Sequence, residues 1–448
     1  MKKTTAYSAR HAYGEDYRDD TDEESFIDDE MREKIANATP NTRRSLKSQA
    51  DIERTGKIGP AKTFFTLIKG FVAAGILFLP RGWASGGWLF STIALILSCC
   101  LTTVASLKLV EIRRKYKLSF SEIGFKAYGK AGKIAVDFFL WFTQTIFVCA
   151  YVTFIVDSVN NILHFQFDIN PINKWILGVV CFAIYMPLVL IRKIEKFAFF
   201  HVFADIAIMI GIITIVVFGF LELKKNDWKF SDDTQMINNK TFLSFIGLSA
   251  YTFEGIGIIL PVMETTSRPD LYPKIVTSVI ISITVAYVIF GNFNYFVYGY
   301  TTLHEYPMIT SVLPNGNIFV SLVEVIWIIN LILTYPLVIH PANTVLESYI
   351  YPGWPKSRKR TWAKNFTRAL LVAFTVVLAV ALLSTLDRLE SINGAFACIP
   401  LAFMLPCLFH YKLIAVTNRD KNIDLAIVGL SLILQIVCTV ITFVFWND

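Results

Sequence analysis

Charge is scarce in this chain. Of its 448 residues only 17% are Asp, Glu, Lys or Arg, against about a quarter in a typical soluble domain, so much of the sequence is not written for water. Cysteine is scarce as well. The seven present (Cys99, Cys100, Cys149, Cys181, Cys398, Cys407 and Cys438) all fall inside apolar segments. None has metal-ligand spacing and no disulfide framework is legible, which leaves them as small packing residues. A catalytic triad, a zinc-ligand pattern, a phosphate loop and a dinucleotide fingerprint are all missing, so the chain does not read as an enzyme and no cofactor or metal is expected. The formal net charge of +7 does not point to nucleic acid, because the positive residues sit in short loops between apolar runs. No apolar run occurs in Met1 to Pro60, so a cleavable signal peptide is not expected there.

What the chain has instead is apolar length. Hydrophobic residues make up 54% of it and aromatics 14%, and the mean hydropathy is +0.52. That is the balance of a polytopic membrane protein, all-α, with a lipid bilayer as its partner. A membrane-spanning helix takes about 20 mostly apolar residues. Eleven segments qualify, near 61–82, 87–110, 134–163, 174–191, 196–221, 242–263, 274–299, 317–341, 366–385, 391–411 and 423–445. With the N-terminus in the cytosol, the internal loops hold 21 Lys and Arg and the external loops 7. That asymmetry fixes the expected orientation. The C-terminal Trp446-Asn447-Asp448 then lies on the luminal or external side. The sequon Asn239-Lys240-Thr241 falls in the longest external loop, which makes Asn239 a glycosylation candidate.

Two domains follow from the same pattern. Residues 1–60 read as a disordered cytosolic tail, with eleven acidic residues between Glu15 and Glu33 and a basic patch at Arg43, Arg44 and Lys47. A solvated charge run and a regulatory segment are both compatible with it. Residues 61–448 form the membrane domain.

Two of the eleven segments are interrupted alike. The first reads Phe71-Val72-Ala73-Ala74-Gly75-Ile76-Leu77-Phe78-Leu79-Pro80, the second Phe253-Glu254-Gly255-Ile256-Gly257-Ile258-Ile259-Leu260-Pro261. Each places small residues in mid-segment and closes on an apolar run and a proline. Small residues also serve close helix packing, but matched interruptions in two halves of a chain are the mark of a secondary transporter's substrate site. Breaks in the first and sixth spans predict five spans repeated in inverted topology, with the eleventh outside the repeat. Backbone N–H groups at one break suit a carboxylate, and unwound carbonyls at the other suit an ammonium group. The expected substrate is therefore a zwitterionic amino acid, held by Val72, Ala73, Ala74, Gly75 and Ile76 and by Phe253, Gly255 and Gly257.

Glu254 is the sharpest single residue. A carboxylate midway through a span is costly unless it faces a cavity or carries a proton. It is a candidate for proton coupling, for holding the break or for receiving the substrate ammonium. The competing reading is a protonated side chain bonded to a neighbouring helix. His201 and Asp205, four apart in the fifth span, share a face and form a second proton-coupling candidate, or else a satisfied buried pair. Asn330 and Thr334 in the eighth span are a possible ion site. Asp137, Gln144, Tyr151 and Ser158 make a polar stripe on the third span, read mainly as glue between helices. Glu324 sits about two turns into the eighth span.

With these residues in view, the chain resembles the amino acid/auxin permease family, in its branch of proton-coupled amino acid transporters and fungal vacuolar amino acid transporters. The likeness runs from about Ala61 to about Ala415. It rests on Leu67-Ile68-Lys69-Gly70-Phe71 leading into Gly75-Ile76-Leu77-Phe78-Leu79-Pro80, and on Leu118-Ser119-Phe120-Ser121-Glu122-Ile123-Gly124 with Tyr128-Gly129. Gln144 followed by Phe147-Val148-Cys149-Ala150-Tyr151, and Phe253-Glu254-Gly255-Ile256-Gly257, complete it. The resemblance implies an eleven-helix, LeuT-like fold with the inverted five-plus-five repeat, and amino acid transport coupled to protons or, less commonly, sodium. It also implies a vacuolar, lysosomal or other endomembrane location. One departure stands out. Related sequences usually carry Gly-Thr-Gly where this chain has Ala73-Ala74-Gly75, which narrows the backbone's freedom and removes a hydroxyl ligand. Two alternatives stay open beside transport of a small or neutral amino acid: a sensor that binds but scarcely turns over, and a permease for another small organic solute.

Overall fold

In the computed structural model, residues 58–72, 74–191, 198–306, 308–314, 316–355 and 357–444 are described. The acidic tail and the C-terminal Trp446-Asn447-Asp448 lie outside these residues. The described chain is nearly all helix. The first predicted span is two pieces, α1 (Pro60–Phe71) and α2 (Leu79–Gly86), joined through a 3₁₀ turn at Ala74–Leu77. Then come α3 (Trp88–Tyr116), α4 (Phe120–Phe167), α5 (Lys174–Leu190) and α6 (Ala198–Lys225). The sixth predicted span is again two pieces, α7 (Ser244–Thr252) and α8 (Ile256–Thr265). The chain continues through α9 (Tyr272–Glu305), α10 (Ile318–Ile350) and α11 (Arg358–Ala381). The tenth span is composite: α12 (Leu386–Ile392), π-helical turns at Asn393–Cys398 and Pro400–Met404, then α13 (Leu405–Leu413). Last is α14 (Asn418–Val444).

Among the described residues nine helical segments are long and apolar enough to cross a membrane. The 17-residue α5 is shorter, and α1 and α2 lie either side of a break. The predicted boundaries err where helices outrun the apolar stretch. Helix α4 begins at Phe120 rather than near 134, because Ser119 and Glu122 form a capping box, the Ser119 N–H donating to Glu122 Oε2 at 2.8 Å. Those Ser119 contacts, backbone first, hold the Glu122 carboxyl below its ordinary range. Gly129, at φ +61°, then turns the chain into the spanning part of α4. Helix α10 passes through Pro336 and Pro341 to Ile350. Each proline removes one N–H, a loss that a helix flanked by neighbours tolerates.

The core gathers around the broken spans. Helix α7 packs on α2, on α3, on the 3₁₀ turn of the first break and on the first π turn of the tenth span. Helix α4 crosses α10 and α11 and touches the same π turn. The α7–α8 and α12–α13 segments are mostly buried, whereas α14 is largely exposed at the margin. Helix α14 still packs on α13, on both π turns and on α7.

Candidate functional site at two helix breaks

The two breaks meet. Phe71, the last residue of α1, lays its ring against Gly255, where an added Cβ would sit 2.5 Å from ring carbon Cδ1. The φ of −162° at Gly255 is open to any residue, so the demand there is for space. One residue earlier, Gly70 lets α1 approach Ile258 of α8. Helix α1 ends because Val72 leaves helical geometry (φ −84°, ψ 81°), its N–H still bonded to Ile68 O at 2.7 Å. The next half-helix opens at Leu79. Gly75 lies in the 3₁₀ turn, with Tyr251 of α7 3.5 Å from where its Cβ would be. Ile76 is buried. Ala73 lies outside the described residues, and for Ala74 only the backbone is described.

Polar side chains close on the exposed backbone. Tyr287 of α9 donates its hydroxyl to the Phe71 carbonyl at 3.4 Å, and Tyr272 donates to the carbonyl of Ile259 in α8. Phe253, fully buried, and Glu254 form the second break, the Glu254 N–H reaching Tyr251 O at 3.1 Å. One Glu254 carboxyl oxygen, Oε1, is buried without a hydrogen-bond partner among the described residues. Tyr151 of α4 and Cys398 of the π turn lie within electrostatic reach of that carboxyl. Gly257 rests against Leu140 of α4. A buried polar atom without a partner carries a desolvation cost that a ligand or proton relieves.

The structure also shows residues that the sequence reading passed over. The Tyr251 ring stacks on Phe147 at 4.5 Å, and its hydroxyl donates to Glu390 Oε1 at 3.3 Å. Glu390 is fully buried, and one turn on is Asn393, whose side-chain amide is buried with neither atom partnered among the described residues. The signal was present: Glu390-Ser391-Ile392-Asn393-Gly394 puts a carboxylate and an amide at the head of an apolar run, where they read as the edge of a span.

Other candidates are placed elsewhere. His201 and Asp205 lie on α6, which packs mainly on α9 and α10; their side chains are outside the described set. Thr334 donates to the Asn330 carbonyl at 2.8 Å and to its Oδ1 at 3.1 Å, so these two groups serve each other within α10. The polar stripe of α4 divides. Asp137 is tied to Lys133 at 3.1 Å, Ser121 at 2.5 Å and Tyr349 at 2.8 Å, whereas Tyr151 lies within electrostatic reach of Glu254. Glu324 and Ser158 are buried. Asn239 is exposed, beside Asn238, which is buried and donates to the Ala84 carbonyl. No group of His, Cys, Asp and Glu that could hold a metal occurs among the described residues.

The chain is similar to known proteins along most of its length. A family model described as transmembrane amino acid transporter protein matches residues 56–446. Vacuolar amino acid transporter 3 of Schizosaccharomyces pombe is 28% identical over 439 residues, covering 96% of this chain and 65% of that protein. Its namesake in Saccharomyces cerevisiae is 30% identical over 380 residues, covering 82% and 53%. Amino acid transporter AVT3B of Arabidopsis thaliana is 28% identical, covering 84% of this chain and 91% of that one. The chain thus spans between half and two thirds of the fungal relatives' length. Among solved structures, the inward facing conformation of Mhp1 superposes with a TM-score of 0.54 at 12% identity, covering 88% and 90% of the two chains. That likeness speaks for the LeuT-like fold alone.

Proposed function

Because the chain belongs to the transmembrane amino acid transporter protein family, we propose that it is a secondary active transporter. Its substrate is a small or neutral amino acid, moved together with protons across a vacuolar or related endomembrane. The observation that carries this reading is the meeting of two helix breaks around a buried carboxyl oxygen with no partner among the described residues. The substrate carboxylate meets backbone N–H groups between Val72 and Ile76. Its ammonium meets the carbonyls of the second break and Glu254. A proton on Glu254 removes the charge that opposes burial, so substrate and proton favour the same closed state. The vacuolar setting is supported by the names of the two fungal relatives.

Binding of a labelled neutral amino acid to purified protein tests the first break. At Gly75 a methyl group meets Tyr251 at ordinary contact distance, so Gly75→Ala should bind within a few-fold of wild type. Gly75→Leu overfills the turn, and overpacking of about 1–3 kcal/mol corresponds to an affinity loss of about 5- to 150-fold. Undiminished binding by a folded Gly75→Leu protein removes the carboxylate assignment.

The reading also includes eleven spans and a cytosolic N-terminus. The loop between α6 and α7 is then luminal, and the exposed Asn239 is expected to carry a glycan in a eukaryotic membrane. Asn239→Gln should abolish the mobility shift that glycosidase removes. Labelling of Asp232→Cys by an impermeant thiol reagent applied to the cytosolic face of sealed vacuoles contradicts the topology.

A second reading, an amino acid sensor with little turnover, draws on Ala73-Ala74, two positions at which the resemblance leads one to expect glycine and a hydroxyl. Accumulation against a gradient separates the two.

A further inference from the structure

Away from both breaks, four ionisable side chains converge where α3, α13 and α14 meet. His410 on α13 has Nδ1 2.6 Å from Asp424 Oδ2 on α14, and Nε2 3.3 Å from Glu111 Oε2 on α3. Lys108, one turn before Glu111, places Nζ 2.6 Å from Asp424 Oδ1 and 3.4 Å from His410 Nδ1. Asp424 is fully buried and His410 nearly so, whereas the Glu111 side chain is 59% exposed. Other titratable groups around α13 are Cys407, near Asp424 and Lys108, and Tyr411, near Tyr128 of α4. Tyr128 donates to the Leu408 carbonyl, and Tyr116 of α3 donates to that of Leu413. The π turn at Pro400–Met404 contributes no titratable side chain.

The geometry makes a demand on the imidazole. Both ring nitrogens face carboxylates, and a carboxylate only accepts. A neutral ring has one N–H and serves one of them; the cation serves both. With Nδ1–H donating to Asp424 the neutral ring turns its Nε2 lone pair to Glu111, and with Nε2–H donating to Glu111 it turns its Nδ1 lone pair to Asp424. The cluster then holds one cation, Lys108, against two anions. With His410 charged the count balances. Histidine is the side-chain type that exchanges a proton around neutral pH.

We propose that His410 is a proton-binding site separate from the one that couples transport, and that its occupancy sets how firmly α13 and α14 are held to α3. The consequence reaches the broken spans. Two residues past Glu111, Arg113 pairs with Glu264 at the end of α8, and Arg114 donates to the Asp270 carbonyl at 3.2 Å. The end of α3 therefore holds both the half-helix of the second break and the marginal helix α14. Loss of the His410 proton frees Glu111 to water and loosens that end. Transport then responds to the pH at the face carrying the Lys- and Arg-rich loops, even with no gradient across the membrane. This rests on the amino acid transport proposed above.

The test is amino acid exchange in proteoliposomes held at equal pH on both sides, stepped from pH 5 to 8, alongside melting temperature, which needs no substrate. His410→Gln keeps a donor and an acceptor but cannot titrate. The component of the wild-type pH profile assigned to His410 should vanish in it. Glu111→Gln keeps an acceptor oxygen but removes the negative charge that faces the cation, and should move that component of the profile. The same change made in the His410→Gln protein should move nothing. The difference in melting temperature between wild type and His410→Gln should follow the same pH dependence. A His410→Gln profile that superimposes on wild type overturns the proposal, as does an equal Glu111→Gln shift in both backgrounds. If His410→Gln does not fold, the exposed Glu111 carries the test, and an unmoved profile in Glu111→Gln overturns it. Melting that follows the prediction without any wild-type exchange rejects the transport reading and the gating with it.

Discussion

Replacing Glu254 with glutamine is expected to leave amino acid exchange intact and to abolish accumulation driven by a pH gradient. The amide has the shape and hydrogen-bonding pattern of the protonated carboxyl, so the closed, substrate-bound state stays accessible. What it cannot do is release and rebind a proton. One pH unit stores about 1.4 kcal/mol per proton and sustains about tenfold accumulation at a one-to-one ratio. The expected change is therefore from several-fold accumulation to the equilibrium level, with counterflow within a few-fold of wild type. Glu254→Ala should lose counterflow as well, because the second break then lacks the side chain that meets the substrate ammonium. Full gradient-driven accumulation by Glu254→Gln moves coupling elsewhere, and His201 with Asp205 becomes the next pair to substitute.

The second large effect is expected at Gly255. A single methyl group there collides with the Phe71 ring, and both lie in the packed interior of the bundle, where neither can simply swing away. Overpacking of about 1–3 kcal/mol falls on the contact that joins the two breaks. Gly255→Ala should reduce transport by about tenfold or more, although the backbone at 255 accepts any residue. Phe71→Leu shortens the obstructing side chain, so the double variant should recover activity relative to Gly255→Ala alone. Coupling between touching residues runs to about 0.5–3 kcal/mol. Strictly additive losses mean that the breaks do not depend on this contact.

The breaks were legible because they violate the expected pattern: glycine, alanine and proline in mid-span have no use in a simple lipid-facing helix. Boundaries were less legible, because capping groups such as Ser119 and Glu122 extend helices beyond the apolar run. The part of the site contributed by the tenth span was not read. Glu390 and Asn393 are one turn apart at the end of a segment, and periodicity cannot tell an interfacial carboxylate from one turned inward. Only the packing of α12 on α7 shows Glu390 meeting Tyr251. In the same way Asn330 and Thr334 share a helix face, but sequence spacing does not reveal that their polar groups satisfy one another. The His410 cluster joins residues some 300 positions apart in sequence, a distance no local pattern spans.

The account's central claim is that two helix breaks carry an amino acid together with a proton. Uptake of a labelled neutral amino acid into proteoliposomes, with an imposed pH gradient and with the gradient dissipated by a protonophore, tests it most directly. The account predicts accumulation above the external concentration that collapses when the gradient is removed and is absent from Glu254→Gln vesicles. Saturable binding without accumulation under any gradient contradicts it.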